Sequence, residues 1–401
     1  MAATNYRAVL TAPGSFRLMS TALVGRLPQG MSALAVLLLV RQATGSYAAA
    51  GVAVGANALA SAAASPVLGR LIDRFGQRLV VGPVAALQAG VYVLLAVAAA
   101  GHAGTLVLIA CAALAGSLVP PIAPVVRTLL RDLFDDLSVR ETAYALEAIA
   151  QEMIWVAGPL LVTLVITLAS TEAAVLALAV LGLSGTMLFL RSPLLARPED
   201  HEAADPNRGS ALASVDLRWL LLPVTLTGFA LGAVEVGIPA LALHEGSRAA
   251  SGFLLALWSL GSMVGGLRYS SARWNATLGS RYTLLLLANC AFIAPLVAAN
   301  TIAVAAVCSF IAGLAIAPVF SCQQSLVGQV VRPGTEHEAF SWTLSGLIGG
   351  VAAGSALGGI AVGAIGVKAP FVIACGGACL AAISASRFRG RFGIRGLPVT
   401  A

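Results

Sequence analysis

Apolar runs of about 20 residues recur along the whole of this chain, and that length is what a helix needs to cross about 30 Å of hydrocarbon. The sequence of 401 residues is 59% hydrophobic and only 10% charged, with a mean hydropathy of +0.91. Soluble domains carry roughly 25% charged residues, so this chain lacks the polar side chains to coat a globule of its size. Inside lipid the backbone must satisfy its own hydrogen bonds, which leaves helices or a closed barrel. The runs are continuous and show no two-residue alternation, so helices are expected. About twelve spans can be drawn, at 16–40, 47–69, 79–100, 104–130, 142–168, 171–191, 218–243, 249–268, 282–299, 301–328, 338–363 and 369–387.

The formal net charge is +7, but the bases lie in short loops between spans, which speaks for topology rather than nucleic-acid binding. Alternate loops carry Arg70, Arg74 and Arg78; Arg131 and Arg140; Arg191, Arg197 and Arg208; Arg268, Arg273 and Arg281; and Arg332, and the tail adds Arg387, Arg389, Arg391 and Arg395. The opposite loops hold only Arg41, Arg248 and Lys368. Positive loops stay in the cytoplasm, so a multi-pass protein of the cytoplasmic (inner) membrane is expected, with both termini inside. The first 15 residues show no cleavable secretory signal. Cys111, Cys290, Cys308, Cys322, Cys375 and Cys379 all fall in spans and read as small apolar residues, without disulfides. With His102, His201, His244 and His337 scattered in loops, no metal site is expected.

The longest polar stretch, rich in proline and acids, covers residues 192–217 and reads as a cytoplasmic linker between an N-terminal bundle, 1–191, and a C-terminal bundle with a short basic tail, 218–401. The two halves repeat. Gly69-x-Leu71 recurs as Gly265-x-Leu267, Ala143-Tyr144 as Ala339-Phe340, and Gly158 as Gly354, always 196 residues later. Two duplicated bundles around a cleft are the architecture expected of such repeats. Tyr269 stands where the second half would repeat Asp73.

Between the second and third spans lies a polar island, Gly69-Arg70-Leu71-Ile72-Asp73-Arg74-Phe75-Gly76-Gln77-Arg78. Gly69, Leu71, Asp73, Arg74, Gly76 and Arg78 fit the pattern Gly-x-Leu-x-Asp-Arg-x-Gly-x-Arg, and the segment resembles the signature loop of the major facilitator superfamily of transporters. Ile72 and Gln77 depart from the usual choices. In the fifth span Gly158-Pro159 resembles that superfamily's antiporter motif, although Leu160, Leu161 and Val162 stand where its exporters often have further glycines. The resemblance implies the two-bundle major facilitator fold and transport by alternating access. It also implies that the loop is a gate: Gly69 for close helix approach, Gly76 for a tight turn, and Asp73 against the N-terminus of the eleventh span near Ala339. Arg74 and Arg78 are expected to hold lipid headgroups or the neighbouring Asp132, Asp135 and Asp136.

Ionisable groups inside spans are costly and face a cavity or a partner. Arg26, Arg127, Glu147, Glu152 and Glu235 are the candidates, with Asn57, Gln151, Gln323 and Gln324 as uncharged companions for substrate. At about 1.5 Å per residue, Arg26 and Glu152 both lie roughly 15 Å from the cytoplasmic ends of their expected spans. They are expected to sit close, with Glu152 exchanging a proton beside Arg26. Arg127 and Glu147 form a second, shallower pair in this reading. Tyr144, Glu147, Gln151 and Gly158 share one helical stripe, and Glu152 is rotated off it. Proline at 159 removes a backbone hydrogen bond and is expected to kink or soften the helix.

The function expected is secondary active transport of a small organic molecule, as proton-coupled efflux, with the proton gradient as energy source and no cofactor. Proton-coupled import of a metabolite remains open, as does a receptor or scaffold of the same fold. Enzymatic activity is not expected: no His-Glu metal motif, Gly-x-Ser-x-Gly or phosphate loop is present. Protons, the substrate and membrane lipids are the expected partners of a monomer, and no nucleic acid.

Overall fold

A computed structural model describes residues 2–196, 210–245, 248–272, 274 and 276–388. Among them twelve helices are long and apolar enough to span a membrane. Spans 1 to 6 are Ser15–Thr44, Ala49–Phe75, Gln77–Ala100, Thr105–Leu133, Leu137–Leu168 and Thr171–Leu190. Spans 7 to 12 are Val215–His244, Ala250–Tyr269, Leu278–Ala298, Ile302–Val330, Glu336–Ala364 and Ala369–Phe388. A further helix, Ala2–Thr11, precedes them. Leu79, Leu106, Leu168 and Ile365 are each more than 70% exposed. That apolar surface suits a hydrocarbon solvent and would be a liability in water.

The helices run past the apolar runs at several ends. Span 5 begins at Leu137, five residues before the expected start, because Asp136 caps it: its carboxylate accepts from the amides of Ser138 (2.7 Å) and Val139 (3.3 Å). Span 2 runs on through the charged motif to Phe75, so most of that motif is helix rather than turn. The turn itself is Gly76 alone, at φ 85°, a backbone conformation that other residues rarely adopt. Span 4 is interrupted at residues 118–121, where Pro120 and Pro121 cannot continue a helix. Pro159, by contrast, lies within an unbroken helix.

Among the described residues the core falls into four clusters, and none mixes the halves. Two are built from residues between Val9 and Leu195, and two from residues between Ala211 and Ala385. Short 3-10 turns at Pro193–Ala196 and Ala211–Ala213 anchor the two ends of the connecting segment, where Leu194 and Leu195 join the first core and Ala211 the second. The middle of the linker, with Arg197, His201 and Arg208, lies outside the described residues, as do Arg273 and the tail bases Arg389, Arg391 and Arg395. The repeat is visible in packing. A Cβ on Gly158 would fall on the backbone of Gly30, locking span 5 onto span 1; a Cβ on its counterpart Gly354 would fall on the backbone of Phe229, locking span 11 onto span 7.

Candidate functional site

The two halves touch at the end that carries the arginine-rich loops. Gly69 makes the closest approach: a Cβ there would lie 2.6 Å from the carbonyl oxygen of His337 and 2.9 Å from Cα of Glu338. One turn on, Asp73 meets the first turn of span 11. Its two carboxylate oxygens accept from the backbone amides of His337 (3.0 Å) and Glu338 (2.8 Å), and Oδ1 also lies 2.7 Å from Nδ1 of His337. An acid placed on unpaired amides at a helix N-terminus gains both hydrogen bonds and the helix dipole. Arg70 adds a two-pronged pair to Glu338 at 2.8 and 3.2 Å. Arg131 joins Glu336 at 3.2 Å and Asp132 at 2.9 Å. Arg74 and Arg78 are exposed, and the Arg74 guanidinium lies 5.1 Å over the Phe75 ring.

A second contact follows the internal repeat. The 196-residue offset relates Asp73 to Tyr269 and His337 to Glu141, and these counterparts also face each other across the halves. Arg281 of span 9 bridges them, bonding the Glu141 carboxylate at 2.6 Å and the Tyr269 hydroxyl at 3.2 Å. The chemistry has changed, since Tyr269 cannot hold helix amides as an acid does and an arginine supplies the charge. The geometry is retained. The Glu141 carbonyl also accepts from Ser321 of span 10 at 3.0 Å. Nothing in the apolar pattern marks Glu141 or Arg281; the repeat offset applied to His337 and Asp73 leads to Glu141 and Tyr269, and not to Arg281.

Away from this end the halves part. Ser345 of span 11 donates to the carbonyl of Ala62 in span 2 at 2.6 Å. Beyond that level Gly51 and Gly55 of span 2, and Gly359 and Gly363 of span 11, have no heavy atom within 4 Å of where a Cβ would sit.

Midway along the spans the polar residues form two groups. In the first, Arg26 donates to Glu147 at 2.9 Å and to the side-chain carbonyl of Gln151, and Arg127 approaches the same Glu147 carboxylate at 3.4 Å. Arg26, Arg127 and Glu147 are 2%, 7% and 3% exposed. Arg26 therefore pairs with Glu147, not with Glu152 as expected. The reason is helix phase: the contact between Gly30 and Gly158 turns the stripe with Glu147 and Gln151 toward span 1, and Glu152 points elsewhere.

The second group is Glu152 and the hydroxyls of span 8 on the other half. Ser262 of span 8 donates to Glu152 at 3.2 Å, and Ser259 is also within hydrogen-bond reach. Glu235 of span 7 is exposed. Gln323 and Gln324 are buried in span 10, each with a side-chain carbonyl lacking a protein partner. Asn57 is placed differently from the substrate role expected of it: its amide donates to the carbonyl of Ala112 at 2.8 Å and ties span 2 to span 4. No group of three metal-ligating side chains occurs among the described residues.

A family model of the Major Facilitator Superfamily matches residues 18–299, and the chain belongs to that superfamily. It is a multi-pass membrane protein and a transporter of small molecules, not an enzyme. Its fold is similar to that of a bacterial homologue of the iron transporter ferroportin in an outward-facing state with soaked iron, at 16% identity and a TM-score of 0.75, covering 93% of this chain and 98% of that one. It is similar also to the human organic anion transporter MFSD10 (TETRAN), at 18% identity and TM-score 0.69, covering 92% and 99%. The proton:xylose symporter XylE matches at 13% identity and TM-score 0.69, covering 93% and 95%. No curated protein matches by sequence.

Proposed function

We propose that this chain is a proton-coupled exporter of a small organic molecule, acting as a monomer in the cytoplasmic membrane with both termini inside. The arginine-rich end then faces the cytoplasm, as positive loops do, and the structure is an outward-open state closed by the Asp73 and Glu141 contacts. The observation that carries the proton role is the contrast between two glutamates. Glu147 is fixed by two guanidiniums. Glu152 instead accepts from a neutral hydroxyl, that of Ser262, which lies on the other half of the molecule. A carboxyl whose partners are neutral and which bridges the moving parts can couple its protonation to their separation. Glu147 is a positioning residue in this scheme and holds the first bundle together.

Export is favoured by the Gly158-Pro159 resemblance to the antiporter motif. The cargo does not follow from the fold: its structural neighbours carry an organic anion, iron and xylose in their names. The test is compound susceptibility in a host stripped of its own exporters, comparing the native chain with Glu152→Gln and Asp73→Asn at matched membrane expression. Protection by the native chain, lost in both variants, is expected. Uptake of a protected-against compound down an inward proton gradient would reverse the direction and favour import.

A further inference from the structure

In the sequence the segment between the bundles is a tether; in the structure its last turn is built into the contact between the halves. Glu338 is 2% exposed, whereas the side chain of Arg70, its partner on the first half, is 59% exposed. An ion pair with an exposed member normally gains little, because two long side chains must be held in one geometry. Here one of the two is held in advance. Oε1 of Glu338 accepts from the Ser210 hydroxyl at 2.6 Å and from the indole of Trp342, one turn along span 11, at 3.3 Å. Arg70 completes the set, with Nη2 on Oε1 at 2.8 Å and Nε on Oε2 at 3.2 Å.

Ser210 is itself fixed to the second half. Ala211, the next residue, is 1% exposed and belongs to a core cluster of that half. Ser214 donates to the carbonyl of Val330, and Arg332 to the carbonyl of Ala213, both at 3.3 Å. The Ser210 hydroxyl also accepts from the Leu212 amide at 3.3 Å and so caps the turn. All these partners lie on the second half, so they travel with Glu338 when Arg70 leaves. The other contact is built in the same way: the Tyr269 hydroxyl at 3.2 Å and the Trp274 ring at 5.5 Å hold Arg281 from its own half, independently of Glu141.

We propose that Ser210 is a positioning residue of the gate. With Trp342 it keeps the Glu338 carboxylate set for Arg70 while the halves are apart, so the linker acts on the gate through its anchored end and not through its length. This rests on the reading of the arginine-rich end as a gate and does not depend on the direction of transport or on proton coupling. A carboxylate ordered beforehand spares the closing step the cost of ordering it, and a buried acid that loses its cation keeps two hydrogen bonds in the open state.

The test uses the full purified chain without native cysteines, spin-labelled at the exposed positions 135 and 333, one on each half. The ratio of short to long distances between the labels reports closed against open. Ser210→Ala is expected to lower that ratio about three- to tenfold, the cost of ordering one long side chain. Ser210→Thr keeps a hydroxyl and is expected to restore it. In an Arg70→Ala background, where the Asp73 contact remains, Ser210→Ala is expected to change nothing further; a hydroxyl that only caps its turn would shift the ratio equally in both backgrounds. A flexible Gly-Ser insertion after Glu202 lengthens the linker and is expected to leave the ratio native. The proposal is overturned by a native ratio in Ser210→Ala, by an undiminished shift in the Arg70→Ala background, by failure of Ser210→Thr to restore the ratio, or by an insertion that lowers it as Ser210→Ala does. Asp73→Asn, measured alongside, separates the two failures. If it too leaves the ratio native, the gate reading falls and the role of Ser210 with it; if it lowers the ratio and Ser210→Ala does not, only the role of Ser210 falls.

Discussion

Neutralising Asp73 isolates the gate, because Asn keeps the shape and loses the charge. In the structure the carboxylate accepts two backbone amides, one on each oxygen, and contacts the His337 ring. Asn presents one carbonyl oxygen and an amide group that cannot accept, so one backbone bond is lost and the other becomes neutral. Hydrogen bonds to a charged group are worth about 1.5–3 kcal/mol and neutral ones about 0.5–1.5 kcal/mol, and a charge at a helix N-terminus adds about 0.3–1 kcal/mol. The closed arginine-rich end therefore loses about 2–4 kcal/mol relative to the open one. That lowers the closed-to-open ratio by about 30- to 1,000-fold. Spin labels at the exposed positions 135 and 333, one on each half, in a background without native cysteines, report the separation. Asp73→Asn is expected to move the distance distribution from a short to a long population. An unchanged distribution, with the variant folded, would show that the contact does not set the equilibrium.

Glu141→Gln, at the second contact, is expected to open the same end, and a charge reversal pairing Glu141→Arg with Arg281→Glu to close it again in the same distance measurement. Glu147→Gln leaves two buried guanidiniums without an anion and should cost about 3–5 kcal/mol, seen as a large drop in melting temperature. Glu152→Gln removes no ion pair and should leave melting near native. Gly158→Ala forces spans 1 and 5 apart and should cost about 1–3 kcal/mol, whereas Gly359→Ala, with open space around it, should be neutral in the same assay.

The twelve spans are legible in the sequence because run length and apolarity report directly on the hydrocarbon they cross. Helix ends are less so, since apolarity marks where lipid is, not where the helix stops: Asp136 starts span 5 ahead of its apolar run, and span 2 carries on through Arg70, Asp73 and Arg74. That offset explains the misplaced partner of Arg26. With span 5 starting at Leu137, the residue about 15 Å in is Glu147, not Glu152. Helical phase held the same information, because Glu147, Gln151 and Gly158 share a stripe from which Glu152 is displaced. The meeting of Asp73 with span 11 follows from the signature motif. The contact between Glu141 and Arg281 does not, because the ion pair joins the two halves of the chain and no local pattern records it; only the repeat, carried from glycines to charges, brings Glu141 opposite Tyr269.

The most direct measurement is transport by purified Glu152→Gln in proteoliposomes, with a compound the native chain protects against, in two modes. Without a pH gradient, exchange of labelled for unlabelled compound reports cargo movement alone; with a gradient, net accumulation reports coupling to protons. The account predicts that the variant still exchanges and no longer accumulates. Gradient-driven accumulation at the native level in Glu152→Gln would contradict it and move the proton to another group.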